Sequence, residues 1–155
     1  MGLGSKEIDE TMKAYKRPES VLVVAHDGAG RVLLIQRADN PRFWQSVTGS
    51  LEAGESPAEA AVRELGEELG IADASGLIDC HDRSTYEILP HWRYRFAPGV
   101  TENLEHVFRL AVAPGFEPRL APAEHLAYRW ASKGEAIGLC PSWTNRRAIT
   151  RFVPT

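Results

Sequence analysis

The sequence predicts an α/β protein of the α+β kind, a single domain in which a mixed β-sheet lies between α-helices. Its length of 155 residues matches one domain. Short aliphatic runs bounded by turn residues indicate strands, and helical patterns fall among them without strict strand–helix alternation. The composition, 43% hydrophobic and 25% charged, is that of a globular chain and excludes a disordered one.

The two ends of the chain bear on its location. Residues 1–14 are polar without periodicity, so we expect a flexible lead-in followed by the domain over residues 15–155. The start carries no secretory signal, and the longest aliphatic run, residues 21–25, is too short to cross a bilayer. We therefore expect a cytoplasmic protein that binds no membrane, and its size suits a monomer. Cys80 and Cys140 are expected as reduced thiols, although one disulfide is possible.

Two aliphatic runs predict a β-hairpin near the start of the domain. Residues 21–25 and 31–36 read as strands, and Asp27-Gly28-Ala29-Gly30 between them is a turn sequence. Residues 46–48 are short but can extend a sheet. Further strands are expected at residues 77–80, 84–89, 91–96, 106–112 and 128–130.

Residues 56–69 carry the strongest helical pattern. Ser56 suits the N-cap, Pro57 the first helical position, and Glu59 completes a capping box. Gly70 follows as a stop. Two later segments, residues 133–139 and 143–152, also read as helices.

This helix has two distinct faces on a helical wheel. The apolar stripe predicted to face the core contains Ala58, Ala61, Val62, Leu65 and Leu69. Beside it, Glu64, Glu67 and Glu68 stand at i, i+3 and i+4, where like charges repel. A divalent cation would relieve that repulsion, and carboxylate oxygens favour Mg²⁺ or Mn²⁺. The alternative is a solvated acidic face.

The net charge of −3 is unevenly distributed. Residues 52–68 hold six glutamates and one arginine, a net −5, so the other residues together carry +2. The chain is therefore not a basic nucleic-acid binder, and no nucleic-acid partner is expected. Its acids concentrate on one helix and the loop before it, where Arg63 can hold a carboxylate bidentately.

The acidic segment resembles the Nudix box, G-x5-E-x7-R-E-U-x-E-E-x-G-U, in which U is a bulky aliphatic residue. Every defined place is filled, by Gly49, Glu55, Arg63, Glu64, Leu65, Glu67, Glu68, Gly70 and Ile71. The resemblance to Nudix hydrolases implies a mixed sheet between helices, with the box as a loop–helix–loop. It also implies Mg²⁺-dependent hydrolysis of a nucleoside diphosphate linked to another group.

The resemblance extends beyond the box, over about residues 15–153, to the bacterial Nudix subfamily that cleaves dihydroneopterin triphosphate. The matching stretches are residues 15–18, 43–50, 77–80, 95–101, 124–130 and 142–146. This implies hydrolysis of 7,8-dihydroneopterin triphosphate to the monophosphate and pyrophosphate, a step of folate biosynthesis. Two alternatives remain: a broad nucleotide pyrophosphohydrolase acting on dATP-like triphosphates, and a non-catalytic module that senses a nucleotide or pterin.

The resemblance also implies roles for individual residues. The expected metal ligands are Glu64, Glu67, Glu68 and Glu124. The expected catalytic residues are Glu67, Glu68, Glu124 and Arg63, with the general base left open among the glutamates. The expected contacts to the small-molecule pterin or nucleoside triphosphate are Lys16, Arg37, Thr48, Tyr86, Glu87, Ile88, Leu89 and Ser142. For the basic and hydroxyl residues the alternative is a plain surface or structural role.

Overall fold

The central strand, β1 (Glu19–His26), is apolar along most of its length because both of its faces are covered. In the computed structural model, which describes residues 15–155, β1 lies in a seven-stranded mixed sheet with helices on both sides. The predicted fold class is confirmed. The lead-in expected at residues 1–14 lies outside the described residues.

The elements follow one another without regular alternation. The remaining strands are β2 (Arg31–Arg37), β3 (Trp44–Gln45), β4 (Val47–Ser50), β5 (Ile78–Glu87), β6 (Glu102–Ala111) and β7 (His125–Ser132). The helices are α1 (Pro57–Leu69), α2 (Lys133–Leu139) and α3 (Trp143–Phe152), and a 3₁₀-helix spans Pro90–Arg95.

The sheet divides around β1. One edge of β1 pairs in parallel with β6 from Glu19 to His26, and β5 continues the sheet beyond β6 in antiparallel fashion. The other edge pairs with β4 over Ser20–Val23 and meets β2 only at His26. β2 in turn pairs with β7 and β3. The sheet therefore opens between β4 and β2, and the last residues of β4 lead directly towards α1.

Alternate residues of β1 enter two separate cores. Val21, Val23 and Ala25 pack beneath α1, whereas Leu22 and Val24 pack beneath α2 and α3. Because side chains alternate across a strand, one continuous aliphatic run supplies both layers. The sheet thus holds α1 and α3 in fixed positions on opposite faces.

Helix α1 has the ends that its sequence predicts. The Ser56 side chain accepts from the Glu59 amide, the reciprocal capping-box bond is present, and Pro57 is the first helical residue. Gly70 ends the helix in the left-handed region, with φ of 70°. The helices at residues 133–139 and 143–152 are confirmed with the predicted bounds.

The predicted buried stripe of α1 is partly wrong. Ala58 and Val62 are exposed, and Glu64 and Glu68 take their places on the buried side with Ala61, Leu65 and Leu69. Compared with the predicted orientation, α1 is turned about its own axis, so that these two acids point into the protein beside the sheet. A hydrophobicity wheel cannot foresee this orientation, because it assigns charged residues to solvent.

The strand predicted at residues 91–96 is also wrong, because the 3₁₀-helix Pro90–Arg95 occupies that stretch. Proline suits the first turn of a helix, and this signal outweighs the aromatic–basic alternation that favoured a strand. The strands predicted at residues 77–80 and 84–89 form the single strand β5, which has an irregularity between Asp79 and Asp82. The short strand β3 was not predicted.

Two further expectations concern the thiols and the membrane. Cys80 and Cys140 are both free, as expected. Within residues 15–155, no helix has the length and apolar character needed to cross a bilayer.

Candidate active site

Arg63 organises the loop before α1. Its Nε and Nη2 donate to the two carboxylate oxygens of Glu55, each at 2.8 Å. Nη2 also donates to the carbonyl of Ser50 at 3.0 Å, which ties the helix to the end of β4. This bidentate pairing raises the pKa of Arg63 and lowers that of Glu55. The loop and helix therefore form one charged framework.

The same guanidinium orients two acids of the helix. Arg63 Nη1 donates to Glu64 Oε1 at 2.7 Å and to Glu67 Oε2 at 3.3 Å. Glu64 is buried against β4, and a β-carbon at Gly49 would overlap its carboxyl group. Burial raises the pKa of Glu64 to about 7, although Arg63 opposes the rise. Glu67 stays largely exposed.

Glu68 is the most deeply buried acid of this group, at 3% exposure. Its Oε2 accepts from the Thr48 amide at 3.1 Å, and its Oε1 lies 3.3 Å from His125 Nε2. Burial, followed by the charges of Glu64 and Glu124, raises its pKa well above the ordinary value. Burial also lowers the pKa of His125, which favours a neutral imidazole that cannot offset the charge.

Glu124 lies close to Glu68 although the two residues are far apart in the sequence. It precedes β7, and its carbonyl accepts from the Ala38 amide at 2.9 Å. Glu68, Glu124 and His125 each offer a ligand atom, and these atoms lie within 4.8 Å of one another. The structure thus brings Glu124 to the box glutamates across 56 residues of chain.

We call this depression the acidic cleft. It is bordered by five glutamates, Glu52, Glu64, Glu67, Glu68 and Glu124. Within the described part of the chain, the only ion-pair neighbour of Glu68 is His125. Buried carboxylates without a cationic partner are costly, and a divalent cation would remove that cost. Carboxylate oxygens are the donors that suit Mg²⁺ or Mn²⁺, so the glutamates of the acidic cleft fit the expected metal.

Basic side chains border the acidic cleft. Arg37 donates from Nε and Nη2 to the two oxygens of Asp39, each at 2.7 Å, and its guanidinium lies 4.5 Å above the Trp92 ring. Arg95 donates to the same Asp39 at 2.9 Å. Lys16 lies near both arginines. Partial burial of its ammonium group lowers its pKa, and the charges of Arg95 and Arg37 lower it further. This cationic group is preorganised for an anionic ligand.

Beyond these cations a second cavity opens, which we call the apolar pocket. It has a volume of about 340 Å³ and contains the edge-to-face pair Phe43 and Trp92, whose ring centroids are 5.2 Å apart. It shares Lys16, Arg37 and Thr48 with the acidic cleft, so the two cavities are continuous. All eight residues expected to contact substrate line it, namely Lys16, Arg37, Thr48, Tyr86, Glu87, Ile88, Leu89 and Ser142.

Several of these residues already have internal partners. The Thr48 hydroxyl donates to the Val21 carbonyl at 2.9 Å, and Ser142 caps α3 by accepting from the Asn145 amide at 3.3 Å. Ile88 donates to Thr101 and accepts from Arg93 through its backbone. Their positions at the pocket wall are therefore fixed by the fold.

Sequence reasoning missed several side chains that border the two cavities, among them His125, Asn103 and Glu105. His125 gives no metal-site signal in the sequence, because no second histidine stands at metal-ligand spacing. Asn103 and Glu105 were not singled out, although both are buried and line the apolar pocket. The only sequence signal was their alternation on β6 with Val107, since residues at i, i+2 and i+4 share one face of a strand.

The fold and the acidic helix define the class of this protein. The NUDIX domain model matches residues 16–152. The chain belongs to the NUDIX family.

Particular relatives are similar over nearly their whole length. The dihydroneopterin triphosphate diphosphatase of Escherichia coli K12 is 49% identical over 145 residues, which cover 91% of this chain and 95% of that one. The enzyme of the same name from Haemophilus influenzae is 41% identical over 146 residues, with coverage of 92% and 91%. The solved structure of the E. coli dihydroneopterin triphosphate pyrophosphohydrolase superposes with a TM-score of 0.86 at 47% identity, covering 90% of this chain and 97% of that one.

Proposed function

We propose that this protein hydrolyses 7,8-dihydroneopterin triphosphate to dihydroneopterin monophosphate and pyrophosphate, and that it requires Mg²⁺, for which Mn²⁺ can substitute. The observation that carries the proposal is the continuity of the apolar pocket with the acidic cleft through Lys16, Arg37 and Thr48. The flat ring of this substrate suits the apolar pocket, and its triphosphate suits the acidic cleft with its neighbouring cations. The substrate therefore needs the two cavities next to each other. The names of the relatives at 49% and 41% identity support the same substrate.

The basic side chains would bind the phosphates. Arg37 is held by Asp39 and lies over Trp92, so little conformational entropy is lost when it binds an anion. Lys16 adds a second positive charge at the junction of the two cavities. Together they would place the phosphate chain over the acidic cleft, with the ring in the apolar pocket.

Glu64, Glu68 and Glu124 would hold the divalent cation, with Glu67 at the exposed border of the acidic cleft. When bound, such a cation supplies positive charge to phosphate oxygens and activates water for attack. Arg63 keeps Glu64 in place through its 2.7 Å bond, so its catalytic contribution is one of positioning.

The proton of the attacking water would pass to a carboxylate oxygen of Glu67, Glu68 or Glu124. Glu124 suits this role because it is exposed at the border of the acidic cleft, whereas Glu68 is enclosed by Thr48 and His125. The apolar walls of the neighbouring pocket would exclude water from the ring and leave the phosphates at the polar end.

The decisive experiment measures pyrophosphate release from dihydroneopterin triphosphate and from dATP, with Mg²⁺ and with EDTA. We expect Mg²⁺-dependent turnover with a higher kcat/KM for the pterin. Glu68→Gln should lower kcat by about 100-fold or more while the protein stays folded, since glutamine retains the shape of the side chain and its acceptor for Thr48. Glu117→Gln, an exposed acid distant in sequence, is the matched control and should behave as wild type.

Three results would contradict the proposal. A strong preference for dATP would reject the pterin as substrate and favour a broad nucleotide pyrophosphohydrolase. Pyrophosphate release that survives both EDTA and Glu68→Gln would reject the acidic cleft as the reaction centre. Binding of either ligand without turnover would favour a sensing module.

We also propose that the protein acts as a cytoplasmic monomer. The charge distribution supports interaction with small anions, and residues of this one chain line the apolar pocket. Light scattering after gel filtration would test the oligomeric state, and a mass of twice 17.2 kDa would overturn it.

A further inference from the structure

The floor of the apolar pocket is formed by β6, where core residues give way to polar ones. Along one face of this strand, Val107 belongs to the core beneath α3, whereas Glu105 and Asn103, two and four residues earlier, line the pocket. Ser20 pairs with Glu105 in the neighbouring strand and also lines the pocket. Polar side chains thus replace aliphatic ones where the cavity begins.

Two acceptor atoms on this floor have no hydrogen-bond partner. Glu105 Oε1 and Asn103 Oδ1 are buried and unpaired in the described structure, and their residues are 4% and 2% exposed. Asn103 Nδ2 donates to Ser20 Oγ at 2.7 Å, which fixes the amide so that its oxygen stays free. An unsatisfied buried acceptor costs about 1–3 kcal/mol, so a ligand with matching donors would be favoured.

Glu105 differs from the acids of the acidic cleft. Glu64 has Arg63 beside it, whereas no ion pair involves Glu105 in the region covering residues 15–155. Burial raises its pKa to about 7, and a side-chain hydrogen bond from Thr144 opposes the rise. Near neutral pH the carboxylate form is therefore accessible and lacks a cation, a situation in which N–H donors bind strongly.

The chemistry of these acceptors selects a class of ring. A 2-amino-4-oxopyrimidine ring, as in a pterin, carries an N–H and an amino group on adjacent atoms, which match the oxygens of one carboxylate. Adenine offers an acceptor nitrogen next to its amino group, so one of its positions would face another acceptor. The walls suit a flat ring, because Phe43 and Trp92 line the same cavity.

We propose that Glu105, assisted by Asn103, determines substrate specificity by accepting hydrogen bonds from the N–H and amino edge of a 2-amino-4-oxopyrimidine ring. This inference rests on the proposed function, since it names the group that recognises the ring of that substrate. It assigns ring recognition to side chains on β6 and leaves the phosphates to the cations that the pocket shares with the acidic cleft.

The test compares kcat/KM for dihydroneopterin triphosphate and dATP in wild type, Glu105→Gln and Glu102→Gln. Glutamine has the same size but presents one donor to the ring, so we expect the ratio of pterin to dATP to fall about tenfold or more. Glu102 lies on the same strand, is exposed and does not line the pocket, so its variant should keep the wild-type ratio. Glu105→Met, similar in length and uncharged, repeats the test if glutamine impairs folding.

The outcomes separate this inference from the proposed function. If wild type prefers the pterin and both Glu105 variants keep that preference, the specificity role of Glu105 is overturned and the substrate assignment stands. An equal loss on both substrates also overturns it, because it indicates a structural role. If wild type cleaves dATP but not the pterin triphosphate, the proposed substrate itself fails.

Discussion

The carboxyl group of Glu64 occupies the space in which any side chain at position 49 would have to lie. A β-carbon on Gly49 would overlap the carboxyl carbon and Oε1 of Glu64. The close approach joins the end of β4 to α1, and Arg63 holds the same carboxylate from the other side at 2.7 Å. Glycine is required here because a side chain would have no room. Its backbone conformation is not the reason, since its φ lies outside the left-handed region.

Gly49→Ala should therefore displace the Glu64 carboxylate. The side chain is flexible at its end, so the fold should survive, but a misplacement of about 1 Å in the reaction centre can cost about 100-fold in kcat. We expect a loss of that order in pyrophosphate release, with a cooperative unfolding transition retained. Wild-type kcat in this variant would show that the position of Glu64 is unimportant.

Gly66→Ala provides the matched control for that change. Gly66 lies on the exposed side of α1, and an added β-carbon would meet only the Ile71 carbonyl at 3.6 Å, an ordinary contact. Alanine should stabilise the helix by about 0.5–1 kcal/mol and leave activity unchanged. Urea unfolding and the same activity assay measure both effects.

Asp39→Asn should weaken binding of the triphosphate. Asp39 holds Arg37 and Arg95, and the hydrogen bond from Arg37 is the main cause that lowers its pKa to about 2, so it is charged in the neutral pH range. Asparagine can accept only part of these bonds. We expect KM to rise about tenfold with little change in kcat, because binding of the ground state and transition state weakens together.

Asp73→Asn controls for the loss of an aspartate elsewhere. Asp73 is exposed and accepts from the nearby Ser75 amide at 2.9 Å, a bond that asparagine can keep. Its kinetics should match wild type. A fall in kcat without a change in KM in Asp39→Asn would contradict a role in phosphate binding.

Asn145→Ala should destabilise the protein by about 1–3 kcal/mol. Asn145 on α3 accepts from the Ser46 amide at 2.8 Å and donates to the Ser46 hydroxyl at 3.0 Å, and both residues are buried. Alanine leaves that amide without a partner between β3 and β4. The midpoint of urea unfolding measures the loss. Thr150→Ala, on the exposed side of the same helix, should cost little, and an equal cost in the two variants would contradict the argument.

The pH dependence of stability should reveal Glu105. Its pKa is about 7 in the folded chain, raised by burial from a value of 4.5, so the folded state binds this proton more tightly than the unfolded state does. Its contribution to stability is complete below about pH 4.5 and is lost as the pH rises to about 7. Wild type should therefore lose roughly 2–3 kcal/mol more than Glu105→Gln between pH 5 and pH 8.

This comparison requires metal-free protein, so that the acids of the acidic cleft contribute equally to both proteins. Urea unfolding in EDTA at the two pH values gives the required free energies. Glu102→Gln, exposed on the same strand, should follow wild type. The same pH dependence of the unfolding free energy in wild type and Glu105→Gln would contradict the raised pKa of Glu105 in the folded chain.

Local chemistry explains which elements were predictable. The bounds of α1 follow from Ser56, Glu59 and Gly70, whose side-chain and backbone contacts span only a few residues. The spacing of Glu64, Glu67 and Glu68 fixes their common side of the helix for the same reason. The strand prediction for residues 91–96 was wrong because two local signals conflicted. The aromatic–basic alternation favoured a strand, whereas Pro90 favoured the start of a helix, which is what forms.

The sequence by itself determined the fold class, the ends of α1 and the acidic segment, because these depend on periodicity, capping and spacing within one stretch of chain. The tertiary structure decided that Glu68 is buried and that Glu124 and His125 meet it, since their encounter depends on how β7 pairs with β2. It also decided that Glu105 faces a cavity and not a packed core. Burial and distant contacts set the charge and partners of these groups, and neither can be read from neighbouring residues.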